Sequence, residues 1–308
     1  MAACVSCGST TLMTSSHYRY YSKAFGNAFP ALKVLNCQEC NLHQVDHSLI
    51  NEDKLTDYYR NNYRHDVDIA TSSFNGTAIL DARGVSLANL CSKHKPISGV
   101  KRIFELGAGY GVNLLKFEQV YAGASLHSDD LNTRLIPDRI VLSKLEEGPF
   151  DVVILSHVLE HLVLPLHVVQ AVIDNLSTGG VLVVEVPNEG AGFIYQQRGG
   201  TPFHEPHLTF FSIATLRNFF KTFPQLRTLY EGTAGREISA EEQRRLKLRS
   251  GLRGRIRQVL EIDPHLLGLA QRVFSQLLGN RMTDTVDLSD HADDDARLFL
   301  RMVLEKGG

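Results

Sequence analysis

Apolar runs that end abruptly in turn residues mark out the middle of the chain. Ile103-Phe104-Glu105-Leu106 runs straight into Gly107-Ala108-Gly109-Tyr110-Gly111, and a helical pattern follows from Val112 to Tyr121. The pattern predicts a buried strand, a glycine turn and a helix. Glycine is needed where backbone takes positive φ or approaches a ligand with no Cβ between them. A second strand is expected at Ser125 to Ser128 and a short third at Arg139 to Leu142. Phe150 to Leu155 is an almost unbroken apolar run, which suits a fourth strand in a sheet covered on both faces. Apolar residues at 166, 169, 172, 173 and 176 share one helical face, so Leu166 to Leu176 reads as a helix ended by Gly179-Gly180. Val181 to Val186, stopped by Pro187, is the fifth strand. Leu226 to Tyr230 and Arg297 to Leu304 read as the sixth and seventh, the last antiparallel at the sheet edge. A helix at roughly 76–92 precedes the glycine strand. Strands alternating with helices argue for parallel βαβ units, hence a doubly wound, seven-stranded, Rossmann-like α/β sheet.

Two regions break this rhythm. Residues 48–75 are polar and aromatic, with Tyr58, Tyr59, Tyr63 and Arg64, and read as a linker or a lid. Residues of about 236–290 form a long insertion before the last strand, with helical patterning. Within it, 244–257 hold seven Lys or Arg and no acid, with Leu248, Leu252 and Ile256 on one stripe. Asp263-Pro264 is a good helix start, and Leu266, Leu267, Ala270, Val273, Phe274 and Leu277 continue an amphipathic face. This region offers a substrate cap, a dimer surface, or a charged face solvated over the core. Asp290 to Asp295 reads as an acidic loop.

Composition narrows the class. The 308 residues leave room for one α/β domain and a small module, and 43% hydrophobic content is enough for a real core. A net charge of −2 supplies no general attraction to nucleic acid or anionic membrane. The first 20 residues are polar, without the apolar core of a secretory leader, and Leu162 to Ile173 is too short to span a bilayer. A cytoplasmic protein is expected.

Four of the five cysteines are Cys4, Cys7, Cys37 and Cys40: two C-x2-C pairs separated by 29 residues. That spacing is typical of zinc, and four thiolates fill a tetrahedral ion, leaving no position for substrate. A structural zinc ribbon over residues 1–47 is expected, with short strands at Tyr18 to Tyr21 and Leu32 to Leu35. Gly8 and Asn41, just after the pairs, tolerate the left-handed backbone of a metal knuckle. Cys91 lies among apolar residues and reads as a buried thiol.

The glycine turn gains meaning from its surroundings. Glu105 stands at the end of the first strand, and Asp129 and Asp130 follow Gly111 by 18 and 19 residues, where the second strand should end. This layout resembles the class I S-adenosylmethionine-dependent methyltransferases. The resemblance implies that Glu105, Gly107, Ala108, Gly109 and Gly111 border the cofactor's methionine part. Asp129 or Asp130 would hold the ribose diol, since a carboxylate accepts two hydrogen bonds at once. Ser156-His157, after the fourth strand, is similar to the segment between cofactor and substrate. Where many relatives place an Asp after the third strand for adenine, Ser143-Lys144-Leu145 stands instead. Glu160 and His161 read as helix and packing residues.

After the fifth strand comes Thr201-Pro202-Phe203-His204-Glu205-Pro206-His207-Leu208-Thr209-Phe210-Phe211-Ser212. It is similar to a segment of zinc-ribbon methyltransferases that C-methylate nucleotide-linked deoxysugars, Tyr-His-Glu-His followed by Leu-Ser-Tyr-Phe-Ser. That likeness implies that His207 is the catalytic base; His204 stands where that family has tyrosine. The family's large C-terminal domain has no counterpart in these residues. Taken together, 76–308 is expected to be a methyltransferase domain acting on a small metabolite or sugar-like intermediate, at oxygen or carbon. His207 is the first candidate base, His157 the second and His204 a third. The rivals are an RNA methyltransferase, using the ribbon and the basic helix, and a non-catalytic protein that keeps the fold.

Overall fold

The computed structural model describes residues 2–20, 22–63, 76–190, 203, 206–235, 288–292 and 297–308. The expected insertion lies almost wholly outside these residues, as do His204 and the end of the linker.

An eight-stranded sheet carries the larger part of the chain. Its strands are β4 (Arg102–Leu106), β5 (Ser125–Asp129), β6 (Val141–Leu142), β7 (Phe150–Ser156), β8 (Leu176–Pro187), β10 (Leu226–Ala234), β11 (Asp290–His291) and β12 (Phe299–Lys306). They are ordered β11-β10-β12-β8-β7-β4-β5-β6. β4 pairs in parallel with both β5 and β7, so the chain winds outward on one side and then crosses back. Ligands bind beyond the strand ends at such a reversal.

Side-chain alternation explains why the sheet is covered on both faces. Phe104, Val153, Leu155, Leu182 and Val184 pack on one side with α5 (Pro165–Asp174) and α6 (Ile213–Phe220). Ile103, Val152, Ile154, Val181 and Val183 pack on the other with α3 (Gly76–His94) and α4 (Val112–Val120). Successive residues serve opposite faces because the strand period is two. Cys91 is fully buried there, receives a hydrogen bond from Tyr121, and burial pushes its thiol up to about 12.

Several expectations need correction. The seventh strand is not at the edge: β12 lies between β10 and β8, antiparallel to both. Its sequence accounts for this, since Leu300, Met302, Val303 and Leu304 are buried and supply both faces. The two residues of β11 add an eighth strand where an acidic loop was expected. Leu176 belongs to β8 and pairs with Phe150; it does not close the preceding helix, which ends at Asp174. A register shift before Val181 absorbs the extra residues, with Gly179 at φ 71°.

The N-terminal module forms a second sheet of four strands, β1 (Leu12–His17), β2 (Lys33–Cys37), β3 (His43–Val45) and β9 (Thr209–Phe210). Its first strand comes before the expected Tyr18, which instead packs its ring near Phe25 and Phe210. Helix α1 (Lys23–Ala28), capped by Ser22, connects the first two strands and buries Phe25 in the module's core. The last strand, β9, comes from the histidine segment some 160 residues further on, and it pairs with β3. Helix α2 (Glu52–Asn61) buries Leu55 and Tyr58 in the same core. No helix among the described residues is long and apolar enough to cross a membrane.

Candidate active site

The glycine turn closes by bonds that its sequence anticipates. Gly107, Gly109 and Gly111 have φ of 67°, 60° and 69°, the left-handed region that side chains resist. Gly107 N–H donates to the Asp129 carbonyl at 2.8 Å, and Gly109 N–H to Asp130 Oδ2 at 2.8 Å. A Cβ on Gly111 would also strike Ile140. Asp130 therefore braces the turn, its other oxygen accepting Asn132 N–H at 2.7 Å. Asp129, half-exposed at the end of β5, pairs with Lys144 at 3.0 Å.

Glu105 ends β4 beneath this turn, only 1% exposed. Asn113, in the first turn of α4, donates to its Oε1 at 2.7 Å. Its Oε2 is buried without a hydrogen-bond partner. Burial raises its pKa to about 7, against the pull of Asn113 and Arg83. A buried acceptor left unpaired beside a left-handed glycine turn suits a ligand that brings an amino group. The residues thus fit S-adenosylmethionine, whose methionine part ends in an ammonium and a carboxylate.

Val158 lies over Gly107, 2.9 Å from where a Cβ would be, so the segment after β7 covers the turn. This brings in the histidines. His157 takes a positive φ of 55°, with Nδ1 3.3 Å from Glu160 Oε1 and Nε2 3.5 Å from Glu185 Oε1. Ser156 Oγ accepts a hydrogen bond from Arg83 at 3.2 Å. Glu185 is itself fully buried between Arg83 and Arg301 at 2.7 and 2.6 Å. Burial disfavours its charge, but the two guanidiniums hold its pKa well below the carboxylate range.

Leu159–His161 is a single 3-10 turn, and its polar residues do more than pack. His161 meets the His207 ring edge-on at 4.8 Å and the hydroxyl of Tyr59 at 2.9 Å. His207 is buried, and its Nδ1 donates to Glu189 Oε2 at 2.8 Å. Glu189 is placed for this because its own N–H and that of Gly190 both bond Phe211 O, at 2.8 and 2.7 Å. Burial pulls the His207 pKa down, but the Glu189 carboxylate and the charge of Glu160 outweigh it, and the net shift is upward. His161 goes the other way, to about 4, because burial exceeds the attraction of Glu160. Burial also works against Glu160, yet the surrounding imidazoles bring it down to about 2.

Among the expected residues, the structure assembles His157 and His207 around Glu160; His204 lies outside the described residues. Glu160, His161, Glu189, Tyr59 and Asn113 were not anticipated. The place of Asn113 in the first turn of the helix that follows the glycine turn was a readable signal. Glu189 carried none and Tyr59 only its place in the tyrosine-rich linker or lid, since only the tertiary fold brings them to the histidines.

The four cysteines also converge. Their sulfurs all lie within 4.8 Å of one another, with Cys4 and Cys40 at 3.5 Å and Cys7 and Cys37 at 3.6 Å. A tetrahedron of about 2.3 Å Zn–S bonds sets sulfurs about 3.8 Å apart. Backbone N–H groups of Ser6 and Cys7 point to the Cys4 sulfur, and those of Glu39 and Cys40 to that of Cys37. Gly8 and Asn41 supply the left-handed turns, at φ 74° and 61°. The donor set fits a zinc ion.

Residues 84–223, from α3 to just past α6, match the model of a family described as a methyltransferase domain. The protein is thus an S-adenosylmethionine-dependent methyltransferase. No curated protein matches the sequence. Solved structures similar to it include the plantazolicin methyltransferase BpumL in complex with SAH, at 12% identity over 82% of this chain and 94% of that one, TM-score 0.48. Coclaurine N-methyltransferase bound to N-methylheliamine and SAH shows 11% identity over 72% of each chain, TM-score 0.39. SAM-bound CalS10, an amino pentose methyltransferase from Micromonospora echinaspora, shows 20% identity over 34% of this chain and 50% of that one, TM-score 0.29.

Glu105 gives a test of the site's electrostatics in the cofactor-free protein. Its folded pKa lies above its unfolded value, so its neutral form is favoured by folding and stability falls as pH rises from about 4.5 to about 7. Glu105→Gln should abolish that loss, worth about 3 kcal/mol if the whole shift acts. Melting temperatures of both proteins across this window check it; parallel curves would show that Glu105 is not perturbed.

Proposed function

We infer that the protein methylates a small metabolite or sugar-like biosynthetic intermediate, at oxygen or carbon, with the acceptor held against the His157–His161–His207 cluster. Bound S-adenosylmethionine supplies an electrophilic methyl group. The chain's task is then to align the acceptor and remove its proton. Glu105 Oε2 and the glycine turn receive the methionine part, Asp129 or Asp130 the ribose, and Ser156 and His157 border the methyl end. His207 takes the proton. Its Nδ1 donates to Glu189, which fixes the ring and makes Nε2 the accepting nitrogen. That Glu189–His207 hydrogen bond, buried beside the segment covering the cofactor turn, is the observation carrying this reading.

Cofactor binding is tested by calorimetry. Gly109→Val should abolish it, since a branched side chain enters the ligand's path and strains a φ of 60°. Asp130→Ala should weaken it by about 1–3 kcal/mol through the ribose bond and the loosened turn. Unchanged affinity in both Asp129→Ala and Asp130→Ala would remove the ribose assignment.

Zinc is proposed as a structural ion on Cys4, Cys7, Cys37 and Cys40. Metal analysis of freshly purified protein should find it bound, and Cys37→Ser should lower thermal stability with the chemistry changed less. Protein that holds no zinc would refute the site.

The base assignment predicts that His207→Ala lowers turnover by about 10²–10⁴-fold while cofactor affinity and melting temperature are retained. Normal turnover would exclude the role; loss of stability alone would make His207 a residue that only fixes its loop.

A further inference from the structure

Besides the cysteines, one other set of metal-type ligands converges among the described residues: Glu160, His161 and His207. One nitrogen or oxygen from each lies within 4.8 Å of the others. We propose that these three bind a divalent transition-metal ion, at a second site separate from the ribbon.

Three observations support it. First, Glu160 is 1% exposed and neither carboxylate oxygen has a well-directed hydrogen bond. Its nearest cationic-type neighbours are His157 Nδ1 at 3.3 Å and His161 Nε2 at 3.7 Å. A buried carboxylate short of donors is costly, and a cation relieves that cost. Second, both imidazoles are held from behind. His207 Nδ1 lies 2.8 Å from Glu189, and His161 Nδ1 lies 2.9 Å from the Tyr59 hydroxyl and 3.4 Å from the Pro206 carbonyl. Metal-bound histidines commonly have such outer partners, which fix the ring and raise its basicity. Third, the scaffold is braced: Leu208 N–H donates to the Glu160 carbonyl at 2.8 Å, tying the two ligand-bearing segments together.

Two imidazoles and one carboxylate suit zinc, cobalt(II), nickel(II) or copper(II) better than magnesium or calcium. Bonds of about 2.1 Å at tetrahedral angles place ligand atoms about 3.4 Å apart, so small side-chain rotations close the site. Three protein ligands leave a coordination position open to water. A nitrogen that ligates an ion cannot also accept a proton, so occupancy opposes methyl transfer and a chelator relieves it. That consequence rests on the base role proposed for His207; the binding itself does not.

The test uses full-length, zinc-loaded protein titrated with Co²⁺ and followed by absorption. A further equivalent of cobalt should appear with ligand-field bands of nitrogen and oxygen ligation, without thiolate charge-transfer intensity. Glu160→Gln and His161→Gln should each weaken it at least tenfold, since losing even an outer partner costs about 10–100-fold. No further equivalent, or one unchanged in both folded variants, would overturn the site and leave the His207→Ala test standing. If a substitution unfolds the chain, electron paramagnetic resonance of Cu²⁺ on the unsubstituted protein decides. Coupling to two imidazole nitrogens supports the site, and its absence overturns it.

Discussion

The pairing of β3 with β9 is the contact on which the candidate site depends. His43 and Gln44 of the cysteine module pair with Phe210 and Thr209, just after His207. Val45 N–H donates to the Leu208 carbonyl at 2.8 Å and the Tyr18 hydroxyl to the His207 carbonyl at 3.0 Å. His47 reaches the carbonyls of Val163 and Leu208, at 2.9 and 3.3 Å. The histidine segment is therefore a strand of the N-terminal sheet as much as a loop of the large domain. A short segment gains order from such backbone bonds only while its partner strand is itself fixed. The cysteine knuckle between β2 and β3 is closed by backbone bonds, Asn41 N–H to the Cys37 carbonyl and Cys37 N–H to the Leu42 carbonyl, both at 2.9 Å, so the order of this module bears on the position of His207.

A second constraint acts from below the histidines. Glu185 on β8 joins Arg83 on α3, Arg301 on β12 and the ring of His157. Arg301 is itself fully buried and also pairs with Asp290 on β11. An ionic cluster of this kind adds little net stability, because desolvation cancels most of the attraction, but removing one member is costly. Its geometric effect is clear: it ties three strands and the helix before the glycine strand to one point under the site.

Equal burial leaves the site's two carboxylates in opposite states, because the charges beside them differ. Glu105 and Glu160 are both 1% exposed. Burial raises Glu105 to about 7, whereas the imidazoles around Glu160 bring it down to about 2. One end of the site thus offers a buried carboxyl whose ionised form a cationic ammonium beside it would favour, the proton leaving to solvent. The other offers a fixed negative charge among histidines. The two carboxylates of the site are thus set apart in charge by their surroundings alone.

Local pattern was enough for the parallel strands, the glycine turn and the convergence of the cysteine pairs. Each is set by residues near in sequence: period-two apolar runs, glycines at positive φ, and C-x2-C knuckles followed by Gly8 and Asn41. Sequence also singled out His157 and His207. It misplaced β12, because an apolar strand near the end of the described chain does not announce which neighbours it will join. It could not supply β9 as the fourth strand of the N-terminal sheet, nor Glu189 and Tyr59 as partners of the histidines. Those depend on backbone pairings between segments more than a hundred residues apart, as with His43 and Phe210. Side-chain chemistry is local to the sequence, while pairing partners are chosen by the closed fold, and only the tertiary structure could decide them.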